Sequence, residues 1–170
     1  DGGNGVTIAT TRPETLLGDA ALAVHPEDER YADLIGKNVF IPLINREIPV
    51  IADAYVDREF GSGALKITPG HDFNDYEIGQ RHKLPVHTVF DRAGKINASG
   101  AQYAGLTIAD ARKKIIEDLT AAGQLVKVED HKLTLTLCER CDTVLEPLVS
   151  EQWWMKMEGL AKQALEAVHK

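Results

Sequence analysis

The chain has 170 residues, with 19 lysines and arginines against 26 aspartates and glutamates, so its formal net charge is −7. Its 44% hydrophobic and 26% charged residues are typical of one folded domain with a real core. The charge argues against a protein that coats long stretches of duplex nucleic acid. Two cysteines exclude a disulfide-rich secreted scaffold and favour a reducing cytoplasm. The opening residues 1–5 (DGGNG) predict a turn and, lacking an initiator methionine, a piece of a longer protein.

Short segments rich in β-branched and apolar residues alternate with glycine, proline and asparagine along the chain. The predicted strands are residues 6–11, 20–25, 39–42, 48–51, 64–68, 86–90, 95–96 and 132–137. Residues 43–47 are predicted to close a hairpin whose prolines suit sheet edges, and residues 91–94 to form a turn.

A helix is predicted over residues 108–122, because Thr107 and Asp110 form a capping pattern and Gly123 follows as a stop signal. Its apolar stripe recurs at helical spacing: Ile108, Ala111, Ile115, Leu119 and Ala122. A second amphipathic helix is predicted near residues 160–168. These elements predict an α+β fold in which many short strands form a curved sheet or β-barrel-like core with peripheral helices.

The densest polar stretch is TTRPET, at a predicted strand end where functional loop residues are common. It comprises Thr10, Thr11, Arg12, Pro13, Glu14 and Thr15. Its hydroxyls, guanidinium and carboxylate could bind a small polar ligand. The same pattern is also ordinary capping chemistry at the start of a helix.

A second polar stretch follows the predicted strand 64–68. Lys66 and Thr68 are two residues apart and therefore point to one face. If a helix starts nearby, Asp72 and Asp75 share its first turn, where both could satisfy free backbone amides. Alternatively, both carboxylates face a pocket, where one could hold an ammonium group and the other a hydroxyl.

Two motifs admit a metal. His71-Asp72 could bind an ion, but further ligands at usable spacing are not evident. Cys138 and Cys141 form one Cys-x2-Cys pair, which is half of a tetrahedral zinc site. The sequence has no G-x-S-x-G elbow, P-loop or G-x-G-x-x-G motif. We expect neither a metal nor another cofactor.

Three long stretches that contain the polar motifs are distributed along nearly the whole chain. They are 10–31 (TTRPETLLGDAALAVHPEDERY), 61–85 (GSGALKITPGHDFNDYEIGQRHKLP) and 146–157 (EPLVSEQWWMKM). Together they resemble the editing domains of valyl-tRNA synthetases, the connective insertion of a class I synthetase. Isoleucyl domains typically have Thr-Thr-Thr-Pro-Trp-Thr at the first stretch, and leucyl domains usually lack the HPEDERY segment. The HIGH and KMSKS signatures of amino-acid activation are absent.

This resemblance implies hydrolysis of threonine mistakenly esterified to tRNA(Val), with threonyl-adenylate as a further substrate. It implies an editing domain over residues 1–152, followed by a segment, 153–170, that leads back toward a catalytic core. The implied partners are the 3′ end of tRNA(Val) and the remainder of the synthetase in cis, in a monomeric, cytoplasmic protein without a membrane partner. Cut from that core, the apolar stripe near residues 160–168 is expected to be exposed.

The resemblance also implies roles for individual residues. Asp75 would hold the α-ammonium of the substrate and Asp72 the threonine hydroxyl. Lys66, Thr68 and Asp75 would be the catalytic group, with water as the nucleophile. The other substrate-binding residues would surround the ester and the adenosine: Thr10, Thr11, Arg12, Thr15 and Phe60. Phe60 would stack on the base, and Lys66→Ala would slow hydrolysis more than it harms folding.

Three other interpretations remain open at this point. The chain could bind a tRNA acceptor end without chemistry. It could be a metal-dependent hydrolase built on His71-Asp72, with Cys138 and Cys141 as further ligands. It could also be an editing domain of the isoleucyl type.

Overall fold

A four-stranded mixed sheet, with strand order β2-β3-β1-β4, forms the centre of the fold in a computed structural model that describes residues 5–168. The strands are β1 (Ala21–Val24), β2 (Asn38–Ile41), β3 (Arg46–Ala52) and β4 (Ala64–Ile67). β1 runs parallel to β3 and antiparallel to β4, while β2 and β3 form an antiparallel hairpin. The sheet is open. Of the turn predicted for residues 1–5, only the last residue lies within the described part.

Within the described residues, three α-helices accompany the sheet: α1 (Phe73–His82), α2 (Ile108–Ala121) and α3 (Glu158–Val168). Short 3-10 helices span Pro13–Gly18, Ala32–Leu34 and Ala98–Tyr103. The predicted α+β class is confirmed. The helices of residues 5–168 are all too short or too polar to span a lipid bilayer.

The central strand β1 is buried along its whole length, as expected of a strand with neighbours on both sides. Ala21 and Ala23 on one face pack with Ile67 of β4 and Ile78 of α1. The small alanines let the helix lie close to the sheet. This packing brings the carboxyl end of β4 and the amino end of α1 together at one edge.

Helix α2 covers a second cluster and confirms the prediction from its caps. The Thr107 hydroxyl accepts from the Asp110 amide, and Gly123 beyond the helix has φ 67°, which glycine adopts at little cost. Ala111, Ile115 and Leu119 are buried in the cluster. Ala122, predicted to extend the stripe, lies beyond the helix and is exposed.

Four of the predicted strands are wrong. Val6 and Ile8 in the segment 6–11 pack partly buried against the body without joining a strand. Residues 86–90 and 95–96 contribute only isolated bridges around the confirmed turn at 91–94. The leucines of 132–137 are exposed, because no apolar surface of the described chain covers them. Alternation indicates an apolar face but not a pairing partner.

The prolines of the hairpin are predicted to lie at sheet edges. This is wrong for Pro49, which lies in β3 between β2 and β1. Val50 donates its amide to the Lys37 carbonyl on the β2 side. Since successive amides alternate in direction, the nitrogen of residue 49 faces the β1 side. There the pairing begins only at Val50, opposite Leu22, so the missing N–H of proline breaks no bond.

The apolar stripe near residues 160–168 correctly predicts the carboxyl-terminal helix α3. Leu160, Leu165 and Val168 of that stripe are exposed, as expected for a face that finds no cover within the described residues. Trp153 and Trp154 before it are also exposed. The domain boundary at residue 152 stays a prediction.

Candidate functional site

The ammonium group of Lys66 lies at the centre of a polar cluster between β4 and the first 3-10 helix. Its Nζ is 2.7 Å from Thr15 Oγ1, 2.6 Å from Thr68 Oγ1 and 3.2 Å from Asp19 Oδ1. A lysine ammonium has three protons to donate, and three oxygens surround this one. The predicted shared face of Lys66 and Thr68 is therefore confirmed, and Thr15 joins them.

Asp19 is the member of this cluster that the sequence analysis missed. It is buried, it accepts from the Thr68 hydroxyl, and it forms an ion pair with Lys66. Burial raises the pKa of Asp19, and this outweighs the opposing attraction of Lys66. A signal was present, because Asp19 is a lone charge in the otherwise apolar run 16–24. A buried charge of this kind requires a partner.

Asp75 is a buried carboxylate with one oxygen committed to the protein. Its Oδ2 accepts from the Thr68 amide at 2.8 Å, while no donor among residues 5–168 contacts Oδ1. Burial raises the pKa of Asp75 to about 6, and the negative charge of Asp72 acts in the same direction. The carboxylate therefore lies in a place where a cation would be favourable.

Asp72 caps helix α1. Its Oδ1 accepts from the Asn74 amide at 2.9 Å and from the Asp75 amide at 3.1 Å. The side chain is otherwise exposed, and its Oδ2 has no hydrogen-bond partner within the described part of the chain. Capping and ligand binding are therefore compatible, because each can use a different oxygen.

The guanidinium of Arg12 is held by the protein. Nη1 donates to the His71 carbonyl at 2.9 Å, Nη2 forms an ion pair with Glu146, and Nε lies 3.5 Å from Glu14. The Arg12 carbonyl accepts from the Thr15 hydroxyl at 2.9 Å. Arg12 is thus placed at the rim of the cluster, in contact with the segment that follows residue 145.

Glu14, close to Arg12 in the sequence, is fully buried and serves the fold. The guanidinium of Arg112 in α2 donates to both carboxylate oxygens of Glu14 at 2.8 Å, a bidentate arrangement. This pair attaches the 3-10 helix Pro13–Gly18 to α2. The alternative interpretation of TTRPET as a purely local capping sequence is therefore too narrow, because the stretch makes contacts across the fold.

His71 uses both ring nitrogens within the protein. Nε2 accepts from the Val89 amide at 2.8 Å, so Nδ1 carries the proton and donates to the Pro147 carbonyl at 3.1 Å. Burial lowers the pKa of His71 to about 4, which keeps the ring neutral at physiological pH. In this arrangement neither nitrogen is available to a metal.

The cysteine pair lies in a separate turn. Cys141 Sγ is 3.3 Å from the Thr143 hydroxyl, which together with Cys138 lowers the pKa of the Cys141 thiol. No group of three or more His, Cys, Asp or Glu side chains in residues 5–168 has the arrangement of a metal site.

The remaining predicted residues lie apart from the Lys66 cluster. Phe60 is 72% exposed on a loop between β3 and β4, where it lines a cleft with Tyr55 and Ala9. Thr10 and Thr11 are exposed beside that cleft, and the Thr10 hydroxyl accepts from the Arg12 amide at 3.1 Å. The structure thus brings Lys66, Thr68, Thr15 and Asp75 together and places Phe60 in a separate cleft.

Comparison with known proteins gives the family. The family described as "Leucyl-tRNA synthetase, editing domain" matches residues 33–120. Valine–tRNA ligases of Geobacter sulfurreducens and Carboxydothermus hydrogenoformans are 58% and 59% identical over 98% of this chain. The ligase of Thermotoga maritima is 55% identical over 96%. The chain spans about a fifth of the length of these relatives, 19% in each case.

A solved structure described as "The crystal structure of GlLeuRS-CP1" matches with a TM-score of 0.52 and 15% identity, covering 68% of this chain and 79% of that one. At this identity the likeness concerns the fold alone. The sequence identity to the valine–tRNA ligases, 55% to 59%, is far higher than the 15% identity to this structure. The chain belongs to the aminoacyl-tRNA synthetase editing domains, and within them to the valyl-tRNA synthetase type.

Proposed function

We propose that this chain hydrolyses the ester that joins threonine to the terminal adenosine of tRNA(Val). The proposal rests on the carboxylate of Asp75, which is buried beside Lys66 and Thr68. Its Oδ2 accepts a hydrogen bond from the Thr68 amide, and its Oδ1 has no partner among the described residues. A cation placed there would balance a charge that burial makes costly. The α-ammonium of an aminoacyl ester is such a cation.

A physical need supports this choice of substrate. The hydrophobic activation pocket of valyl-tRNA synthetases is known to reject threonine, the isostere of valine with a hydroxyl, only about a hundredfold. A second site that requires the hydroxyl can separate the two well. Valine there would leave buried polar groups unpaired, at a cost of about 1–3 kcal/mol each.

The polar groups around Asp75 can be given roles on this basis. Asp72 Oδ2 is free to accept the threonine hydroxyl while Oδ1 caps α1. Lys66 and Thr68 would lie beneath the ester. The three ammonium protons of Lys66 are donated to Thr15, Asp19 and Thr68, so its positive charge would act through space on the negative charge that develops on the carbonyl oxygen. Thr15 holds Lys66 in place.

The adenosine end of the substrate would extend toward the cleft lined by Phe60, with Thr10, Thr11 and Arg12 along its edge. A water molecule attacks the carbonyl carbon, the ester C–O bond breaks, and the ribose oxygen takes up a proton. The same site would cleave threonyl-adenylate. The protein would act in cis with the remainder of a synthetase, as a monomer in the cytoplasm, where tRNA is charged.

The test compares Thr-tRNA(Val) and Val-tRNA(Val) in a full-length valine–tRNA ligase that carries this chain as its editing domain. We expect free threonine to be released much faster than free valine. A protein that binds the threonyl ester without releasing threonine would instead be an acceptor-end binding module. Faster hydrolysis of Val-tRNA(Ile) than of Thr-tRNA(Val) would indicate the isoleucyl type.

Two substitutions separate the capping role of Asp72 from its proposed role in binding. Asp72→Asn keeps a good cap and removes the charge, so stability should change little while discrimination between threonyl and valyl esters narrows. Asp72→Ala removes both the helix cap and the negative charge, and should therefore also lower the free energy of unfolding by about 1 kcal/mol. Deacylation rates and urea unfolding measure the two effects. If Asp72→Asn leaves the discrimination ratio unchanged, Asp72 is only a cap.

A further inference from the structure

The loop of residues 57–63 presents Phe60 to solvent on a tightly turned backbone. The Gly63 amide donates to the Phe60 carbonyl at 3.0 Å, and the Glu59 amide to the Asp57 carboxylate at 2.9 Å. Phe60 itself is 72% exposed, so side-chain packing does little to hold it. The position of its ring therefore depends on how the loop backbone is held.

Two side chains from the HPEDERY segment hold this backbone on either side of Phe60. Arg30 Nη2 donates to the Arg58 carbonyl at 2.9 Å, and the Tyr31 hydroxyl donates to the Ser62 carbonyl at 2.8 Å. The anchored carbonyls lie two residues before and two residues after Phe60. Rotation of the loop about either end would break one of these bonds.

Arg30 is itself fixed by a buried carboxylate. Asp28 is buried and accepts from Arg30 Nε at 2.9 Å and from Nη2 at 2.6 Å. The Tyr31 ring lies beneath the guanidinium, 5.4 Å from its carbon to the ring centroid. The Arg30 guanidinium, which donates to the loop carbonyl, is therefore held in place by Asp28 and the Tyr31 ring. Asp28, Arg30 and Tyr31 are hereafter called the brace.

The loop is shaped to fit the brace at Gly63. This residue has φ 77°, and a Cβ added there would overlap Arg30 Nη2 and approach Asp28 Oδ2 to 3.2 Å. Only glycine combines that backbone conformation with this close approach. Loop and brace thus fit closely at Gly63, whereas no hydrogen bond or ion pair joins the brace to the residues of the Lys66 cluster.

We propose that the brace consists of positioning residues, which hold Phe60 where its ring can stack on the adenine of the aminoacylated end. The proposal rests on the proposed function of the neighbouring site. Stacking of a base on an aromatic side chain contributes about 1–3 kcal/mol, and this depends on the placement of the ring. Loosening the loop should therefore weaken binding of the adenosine end without changing the bond-breaking step.

The test uses Tyr31→Phe, which removes one hydroxyl, in the full-length ligase. We expect KM for Thr-tRNA(Val) deacylation to rise about five- to tenfold, with kcat within about twofold of wild type. Tyr103→Phe is the matched control, since it removes a hydroxyl that donates to Asp118 in another cluster, and it should leave both constants unchanged. Arg30→Lys, which loses the fork geometry, should act like Tyr31→Phe.

A double substitution separates positioning from a general structural effect. Phe60→Ala should raise KM about tenfold, and Tyr31→Phe added to it should have no further effect, because the ring that the brace positions is gone. Independent, multiplicative effects would overturn the proposal, as would a fall in kcat at unchanged KM. The affinity for adenosine monophosphate, measured by calorimetry, should follow the same pattern. A wild-type ligase that releases no threonine yet shows this pattern would refute the proposed hydrolysis and leave the brace standing.

Discussion

Replacing Asp75 with asparagine is expected to lower kcat/KM for Thr-tRNA(Val) deacylation at least about thirtyfold, since the buried partner of a charged group is lost. Asparagine can still accept the Thr68 amide, so the local backbone is retained. In the wild type, kcat/KM should fall as the pH drops below about 6, the pKa to which burial raises Asp75. The low-pH limb should be absent from the residual activity of the variant. An unchanged rate would exclude Asp75 as the ammonium partner.

The same substitution is expected to stabilise the domain at neutral pH. The pKa of Asp75 is about 6 in the folded state against an ordinary value of 3.8, so the folded state binds more protons between these values and stability falls as the pH rises through them. At pH 7.5 the ionised group costs about 1–3 kcal/mol, which Asp75→Asn should recover. The gain should vanish below about pH 4, as measured by urea unfolding of the chain.

Asp53→Asn provides a matched control with the opposite sign. Asp53 is also buried, but Arg81 and His82 contact it, and the net effect is a lowered pKa. Its ionised form therefore stabilises the folded state above the ordinary pKa of aspartate, and this contribution is lost as the pH falls. Asp53→Asn should destabilise the chain at pH 7.5. Asp75→Asn behaving in the same way would contradict the charge argument.

Lys66→Ala is expected to lower the free energy of unfolding of the chain as well as its activity. It leaves Asp19 buried without its cation, a change that typically costs about 3–5 kcal/mol. A folding defect is therefore expected in addition to the loss of hydrolysis, which stays a prediction for this variant. The loss should shrink as the pH falls, because a protonated Asp19 needs no partner. Urea midpoints at pH 5 and pH 8 measure this.

The double variant Lys66→Ala with Asp19→Asn should recover most of that stability, because the unpaired charge is removed together with its partner. It should remain slow in deacylation, since the ammonium beneath the ester is still missing. Recovered stability together with wild-type activity would show that Lys66 serves only to neutralise Asp19. Failure to recover stability would mean that the contacts of Lys66 with Thr15 and Thr68 dominate.

The parts of the fold that were predicted correctly depend on neighbouring residues in the chain. Helix α2 follows from Thr107, Gly123 and a stripe of fixed spacing, and the β2–β3 hairpin from two apolar runs around a short turn. Within the site, Lys66 and Thr68 share a face because they are two apart on a strand. Asp72 and Asp75 share a helical turn for the same kind of local reason.

The parts that were missed depend on contacts between distant residues. Asp19 meets Lys66 47 positions later, and Glu14 meets Arg112 98 positions later. Composition shows that such charges need partners but not which ones. Likewise, the alternating residues 132–137 have a clear apolar face, yet nothing in their own spacing says whether a surface exists to cover it.

The ion pair between Arg12 and Glu146 joins positions 134 residues apart, beside the hydrogen bond from His71 to Pro147. Segments far apart in the sequence therefore meet at the rim of the Lys66 cluster. The orientation of the Arg12 guanidinium is set partly by a residue 134 positions away, so the geometry of this rim depends on how the segment after residue 145 is held.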